Sequence, residues 1–200
     1  MDFADVIRKR RMIRDFDPAP LPGYVVDEIL AAAQRGPSSG FTQGFEFLVF
    51  EGAEQTARFW DALPWTKPED TAGARRAPLI IVPLAHESAY VARYQTPEKA
   101  AIGRKTGADF PAPYWYIDTA FAAMLILLSA VNADLGGFYF SIGPTSREIP
   151  RFRDALGIPD VYYPIGAIAI GYPGESERTA PVRMDDRRRA SGSIIHRGGW

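Results

Sequence analysis

Tyr116-Ile-Asp-Thr-Ala120-Phe-Ala-Ala-Met-Leu-Ile-Leu-Leu128-Ser-Ala-Val-Asn-Ala-Asp134 is the strongest helical stretch in the chain. Ala120 to Leu128 is apolar on all sides, so the pattern predicts a helix buried all round. Asp118, Ser129 and Asn132 project as a narrow polar stripe. A helix this apolar in a chain of 200 residues predicts that one side packs on another subunit. The apolar run itself, Ala120 to Leu128, is too short to span a bilayer.

Outward from it, strands and helices alternate. Leu135-Gly-Gly137 ends the helix, and Phe138 to Ile142 reads as a strand. Thr145-Ser-Arg-Glu148 is a capping box opening a helix to Leu156, with Gly157 as its stop. Tyr163 to Gly171 is an apolar strand, as is Leu79-Ile-Ile-Val-Pro-Leu84, which lacks alternation and is therefore covered on both faces. Phe45 to Phe50 is a third strand candidate, and Glu54 to Leu63 and Tyr24 to Arg35 are helices. Strands separated by helices, with no run of hairpins, predict one α+β domain over residues 1–200, a sheet covered by helices.

Composition narrows the chemistry. The apolar fraction is 46% and the net charge −1, ordinary for a globular protein and unlike a nucleic-acid binder. The chain has no cysteine, which removes disulfides, Cys-ligated zinc, Fe–S clusters and a Cys nucleophile. Two histidines, His86 and His196, lie in no metal-ligand spacing; no metal site is expected. No Gly-x-Gly-x-x-Gly, Walker loop or Gly-x-Ser-x-Gly elbow is present. With no apolar stretch of signal-peptide length at the N-terminus, a cytoplasmic protein with no membrane or nucleic-acid partner is expected.

The charge is local. Arg8-Lys9-Arg10-Arg11-Met12-Ile13-Arg14 holds five cations in seven residues, following an amphipathic helix read over residues 2–12. If that helix continues, Arg10 and Arg14 share a side. Such a run is either a solvated helix end or an anion site, for which phosphate is the best guest. Three alternate prolines then force residues 14–23 into an extended path. Pro37-Ser38-Ser39-Gly40-Phe41-Thr42-Gln43-Gly44 is a small-residue loop whose backbone can approach a ligand closely. Residues 85–113 carry no clear apolar stripe but many aromatic residues, and read as a mobile cover over a site. Residues 174–200 read as a C-terminal arm with Arg187-Arg188-Arg189.

In their order and spacing, Arg10-Arg11-Met-Ile-Arg14 with Phe16, the Pro37-Ser38…Gln43 loop, Trp115…Asp118, Ile165-Gly-Ala-Ile-Ala-Ile-Gly-Tyr-Pro173 and the basic tail ending Ile194-Ile-His196…Trp200 resemble the nitroreductase family of FMN-dependent oxidoreductases. The resemblance covers nearly the whole chain. It implies a central, mostly antiparallel sheet in an intertwined homodimer. It implies tightly bound FMN at the subunit interface, NADH or NADPH as reductant, and ping-pong reduction of a nitroaromatic, quinone or similar small planar acceptor. The flavin carries the chemistry, so no catalytic side chain is expected. Flavin contacts are implied for Arg10, Arg11, Met12, Arg14, Pro37, Ser38, Ser39, Phe41, Gln43, Ser141, Ile142, Gly143, Arg188 and Arg189. Phe41, Tyr90, Tyr94 and Trp115 are the candidates for a substrate pocket. Asp118 reads as an acid near a helix N-terminus that satisfies backbone donors. Met12 stands where the family has Ser or Thr, Phe41 where Asn is common, and Gly44-Phe45 where Pro-Trp is common. These departures leave room for a flavin carrier or sensor without nicotinamide turnover, and for flavin fragmentation or reductive dehalogenation on the same fold.

Overall fold

The computed structural model describes residues 1–179 and 188–200; Arg187, and with it the 180–187 part of the expected arm, lies outside the described residues. Five strands form one sheet: β1 (Phe45–Glu51), β2 (Leu79–Ala85), β3 (Gly136–Phe140), β4 (Tyr163–Pro164) and β5 (Ala167–Gly171). Their order is β1-β2-β5-β3, with β4 beside β2, and all these pairings are antiparallel. The unalternating apolar strand is the centre of the sheet. Ile80, Val82 and Leu84 of β2 enter one core cluster and Leu79 and Ile81 the other, so both faces are covered.

The single strand expected from Tyr163 to Gly171 is broken at Ile165-Gly166. Gly166 has φ of +159°, and a Cβ there would lie 2.5 Å from the Tyr139 phenol, which donates its hydrogen bond to the Ile165 carbonyl. The chain bulges around that ring and re-enters the sheet as β5.

The apolar helix is α6 (Tyr114–Asn132). It packs on β2, β3 and α2 (Gly23–Ala33). Ala123, Ile126, Leu127 and Ala130 face that core. α3 (Gly52–Asp61), which the one-turn α4 (Pro68–Thr71) follows, and α7 (Ile149–Leu156) cover the opposite face through Phe59, Trp60 and Phe152. By length and composition alone α6 could cross a bilayer, but half of it is buried inside this fold. Burial all round is corrected in one respect. Phe121 is 47% and Met124 46% exposed, and with half-buried Ile117 and Leu128 they make an open apolar stripe at i, i+4, i+7, i+11 spacing. Phe3 and Ile7 of the neighbouring α1 (Phe3–Lys9) are exposed as well.

A second correction falls on the basic stretch. α1 stops at Lys9, and Arg10 is extended, with φ −60° and ψ 119°. The next turn is lost because Ile13 is drawn into the core at 4% exposure. Its N–H donates to the Gly137 carbonyl at 3.0 Å, Met12 pairs with Gly137 in a parallel bridge, and a Cβ on Gly136 would overlap Ile13. In this extended run the helical side shared by Arg10 and Arg14 is lost; Met12 packs toward α6, and Arg14 reaches over Phe138 on the other face of the sheet.

A third falls on residues 85–113. They hold α5 (Glu87–Tyr94) and two 3-10 turns, and are built on a cluster of Ala85, Tyr90, Tyr94, Phe110 and Trp115. The i, i+4 pair Tyr90/Tyr94 is the apolar stripe that seemed missing, written in aromatic residues.

Candidate functional site

The Ser38–Gln43 loop leaves α2 after Gly36-Pro37. Gly40, Phe41 and Gln43 have φ of 64°, 53° and 54°. For Phe41 and Gln43 this left-handed backbone costs on the order of 1–3 kcal/mol each, so something must hold it. The holder is Asp118, 3% exposed on α6. Its Oδ2 accepts the Ser39 N–H at 2.8 Å and the Tyr90 hydroxyl at 2.6 Å. Ser39 Oγ and Tyr94 Oη share a hydrogen bond at 3.0 Å, Arg93 Nε donates to the Gly40 carbonyl at 3.0 Å, and the Gln43 N–H donates to Ser38 Oγ at 2.9 Å. Burial first, and then the Asp118 carboxylate, push the Tyr90 phenol well above its ordinary 10.0, so it remains a donor to Asp118. The Phe41 ring points outward, 77% exposed.

Asp118 satisfies a backbone donor, as the sequence reading expected, but not one of its own helix. It lies in the second turn of α6, not among the orphan donors of the helix end, and it serves a loop 79 residues away. The available signal was a carboxylate on an otherwise apolar helix. Tyr90, Tyr94 and Trp115 are also corrected. They do not line an open pocket in the chain but form the buried core behind the loop.

The tightness of that core is testable at Gly44. A Cβ there would lie 2.4 Å from the Tyr90 ring, which Asp118 pins. Gly44→Ala is expected to destabilise the protein by about 1–3 kcal/mol through overpacking, read as a lowered melting temperature. An unchanged melt would mean the ring is free to yield.

The basic stretch divides by side. Arg11 donates to Glu177 Oε2 at 2.7 Å and to the Glu177 carbonyl, and Glu177 Oε1 accepts the Arg14 N–H at 2.7 Å. Arg11 thus ties α8 (Glu175–Thr179) to the N-terminal segment and drops out of the expected flavin set. Arg10 and Arg14 make no ion pair among the described residues. The Arg14 guanidinium lies over the Phe138 ring, 4.9 Å from its centroid. Met12 packs against the α6 core. Ser141 is exposed, but the Ile142 side chain is 2% exposed in the core and its carbonyl accepts the Trp65 indole N–H at 2.8 Å. The Ile142 side chain and carbonyl are thus taken up by the core; Gly143 is half-buried beside Glu148. Arg188 and Arg189 are exposed, and Arg189 donates to the Ser193 carbonyl at 2.6 Å. His196 stacks on Trp200.

The two groups of candidates sit at opposite ends of α6. Asp118 holds the loop near the start, while the basic segment reaches Gly137 just past the end, where the N-terminal amine also donates to Asn132. Fourteen residues of helix rise separate these ends by about 20 Å. One chain does not bring the loop and the arginines together.

Residues 7–172 match the sequence profile of the nitroreductase family. The chain belongs to the nitroreductase family. It is 27% identical over 187 residues to a protein of Methanothermobacter thermautotrophicus carrying the provisional name NADH dehydrogenase/NAD(P)H nitroreductase, over 94% of this chain and 85% of that protein. Among solved structures it is similar to a provisionally named NADH oxidase from Clostridium acetobutylicum, with 26% identity, a TM-score of 0.70, and 98% and 100% of the two chains covered. It shares its fold with an FMN-dependent nitroreductase from Clostridium difficile R20291, with 23% identity, a TM-score of 0.70, and 98% of each chain covered.

Proposed function

We propose that this nitroreductase-family chain is an FMN-dependent NAD(P)H oxidoreductase for a small planar acceptor such as a nitroaromatic or quinone. The observation that carries the reading is the pair Arg10 and Arg14: neither has an anion among the described residues, and both lie on the extended run beside β3. They fit the phosphate of FMN, which takes charge-assisted bonds from a guanidinium fork. The flavin, when bound, supplies two-electron transfer from nicotinamide nucleotide to acceptor. The chain's own residues position it: Arg10 and Arg14 receive phosphate, Ser38, Ser39 and Gln43 present a pre-set loop, and the outward Phe41 ring borders the acceptor's space. The FMN dependence of the Clostridium difficile relative supports the cofactor, and the name of the Methanothermobacter relative the reductant.

The separation of the two half-sites along α6 supports a homodimer. A two-fold axis across the open Ile117–Phe121–Met124–Leu128 stripe sets one copy's loop toward the other's arginines. Met124→Asp is expected to yield a monomer by light scattering and to lose flavin with it; a variant that stays dimeric would remove the stripe from the interface.

The deciding experiment is an anaerobic absorbance spectrum of the FMN-loaded protein before and after NADPH, then NADH. Bleaching by one nucleotide supports the reading and names the reductant. A band persisting with both shifts it to a carrier or to other flavin chemistry, and no retained band refutes the role of Arg10 and Arg14.

A further inference from the structure

Arg104 lies in the 85–113 segment, between the 3-10 turns Ala100–Ile102 and Gly107–Asp109, and is none of the candidate site residues named above. Its guanidinium carbon is 4.6 Å from the Tyr94 ring centroid, 4.7 Å from Phe110 and 5.9 Å from Tyr114. Tyr94 and Phe110 meet edge to face at 5.1 Å, so three rings form a cage around one half-buried cation. Among the described residues its guanidinium makes no hydrogen bond or ion pair. Two acids of this segment are engaged elsewhere, while Glu87 lies beside Gly107. Glu98 accepts two hydrogen bonds from Arg93, at 3.0 and 3.2 Å. Asp109 accepts the N–H groups of Lys105 and Thr106 and the Thr106 hydroxyl. Those bonds hold both carboxyl groups below their ordinary range. Lys99 adds a second cation, 6.0 Å from the same Tyr94 ring.

Stacking on rings uses the face of a guanidinium and leaves its N–H donors in the plane of the edge. A cation held this way has already lost most of its rotamer freedom, so an arriving anion need not order it. The geometry also fixes where the cation stands. The Tyr94 ring that carries Arg104 bonds Ser39 through its hydroxyl at 3.0 Å, and a Cβ on Gly40 would touch that ring at 3.1 Å. Arg104 is therefore one aromatic ring away from the loop of the candidate site.

We propose that Arg104 anchors a phosphate group of the nicotinamide nucleotide. This rests on the NAD(P)H reading above, because in that reaction the nucleotide carries phosphates and a quinone or nitroaromatic carries none. The 2′-phosphate and the pyrophosphate share the chemistry that a caged guanidinium recognises, and the test separates them.

The test uses the FMN-loaded full chain, Arg104→Gln and Arg104→Lys, with two readouts. In steady state, Arg104→Gln is expected to raise KM for the nucleotide about tenfold or more while KM for the acceptor stays unchanged, and Arg104→Lys to recover part of the loss. In calorimetry, adenosine 2′,5′-bisphosphate and ADP-ribose serve as probes. Weakened binding of the bisphosphate alone assigns the 2′-phosphate; weakened binding of ADP-ribose, alone or together with the bisphosphate through the 5′-phosphate they share, assigns the pyrophosphate. Unchanged nucleotide KM and probe affinity in Arg104→Gln, or equal losses for nucleotide and acceptor with a lowered melt, would overturn the proposal and leave Arg104 a packing residue. Inorganic phosphate binding as tightly as either probe would also overturn it. Probe binding that depends on Arg104 in a protein whose flavin no nucleotide bleaches would keep the phosphate subsite and reject the oxidoreductase reading, so the two fail separately.

Discussion

Asp118→Ala is expected to destabilise the protein by about 3–6 kcal/mol, because it removes two hydrogen bonds to a charged acceptor worth about 1.5–3 kcal/mol each. For a chain of this length that is a fall of roughly 10 °C in melting temperature. The effect is large because the partners cannot rearrange. The Tyr90 side chain is fully buried, and its hydroxyl, left behind, has no water to turn to. Ser39 N–H loses the acceptor that holds a strained backbone, so the Ser38–Gln43 loop is released along with the core behind it. Asp118→Asn separates charge from geometry. Both bonds end on the one oxygen, Oδ2, and an amide oxygen in its place can accept both; most of the stability is expected to return. Thermal melts of the two variants, with hydrogen exchange at Ser39 and Gln43, check this. An Asp118→Ala protein melting within a degree or two of the parent would mean that the loop is held by Arg93 and Tyr94 alone.

Arg14→Ala is expected to weaken FMN binding by roughly 10- to 150-fold, the equivalent of one charge-assisted bond of about 1.5–3 kcal/mol. Stability should barely change, since the Arg14 side chain is exposed and, among the described residues, engages only the Phe138 ring. Arg14→Lys should restore less than its charge suggests, because an ammonium can neither stack flat on Phe138 nor present two parallel donors. Arg11→Ala is the contrast. It breaks the pair with Glu177 and is expected to lower the melt more than the flavin affinity. Titration of apoprotein with FMN, followed by flavin fluorescence, reads both. If the two variants exchange these behaviours, the assignment of sides in the basic stretch is reversed.

The elements whose pattern is dictated by burial were legible in the sequence. Leu79–Leu84 announced a strand covered on both faces, Thr145–Glu148 a capping box, and the Ala120–Leu128 run a central helix. What stayed hidden depends on contacts far apart in the chain. The end of α1 is set by Ile13 finding space over Gly136, which no local rule contains. The bulge at Gly166 answers to the Tyr139 ring. Tyr90, Tyr94 and Trp115 read as pocket lining because aromatic residues serve a cover and a core equally well; only the neighbours Phe110 and Ala85 decide. For the site, residue types pointed to the basic stretch and the small-residue loop. They did not show that Arg11 turns away from Arg10 and Arg14, nor that a carboxylate 79 positions on shapes the loop.

The lacing of the two ends of the chain bears on how the protein is made. The Arg14 N–H is held by a residue 163 positions later, the Asp15 carbonyl by the Gly174 N–H, and Phe16 by a bridge to Pro173. These are contacts of very high sequence separation, slow to form and dependent on synthesis past Glu177. At ordinary rates of translation the N-terminal arginines wait roughly 10–30 s for their partners to emerge. The segment proposed to grip phosphate is fixed in place only after a residue 163 positions later has been made, so the proposed seat of the flavin is finished late in folding.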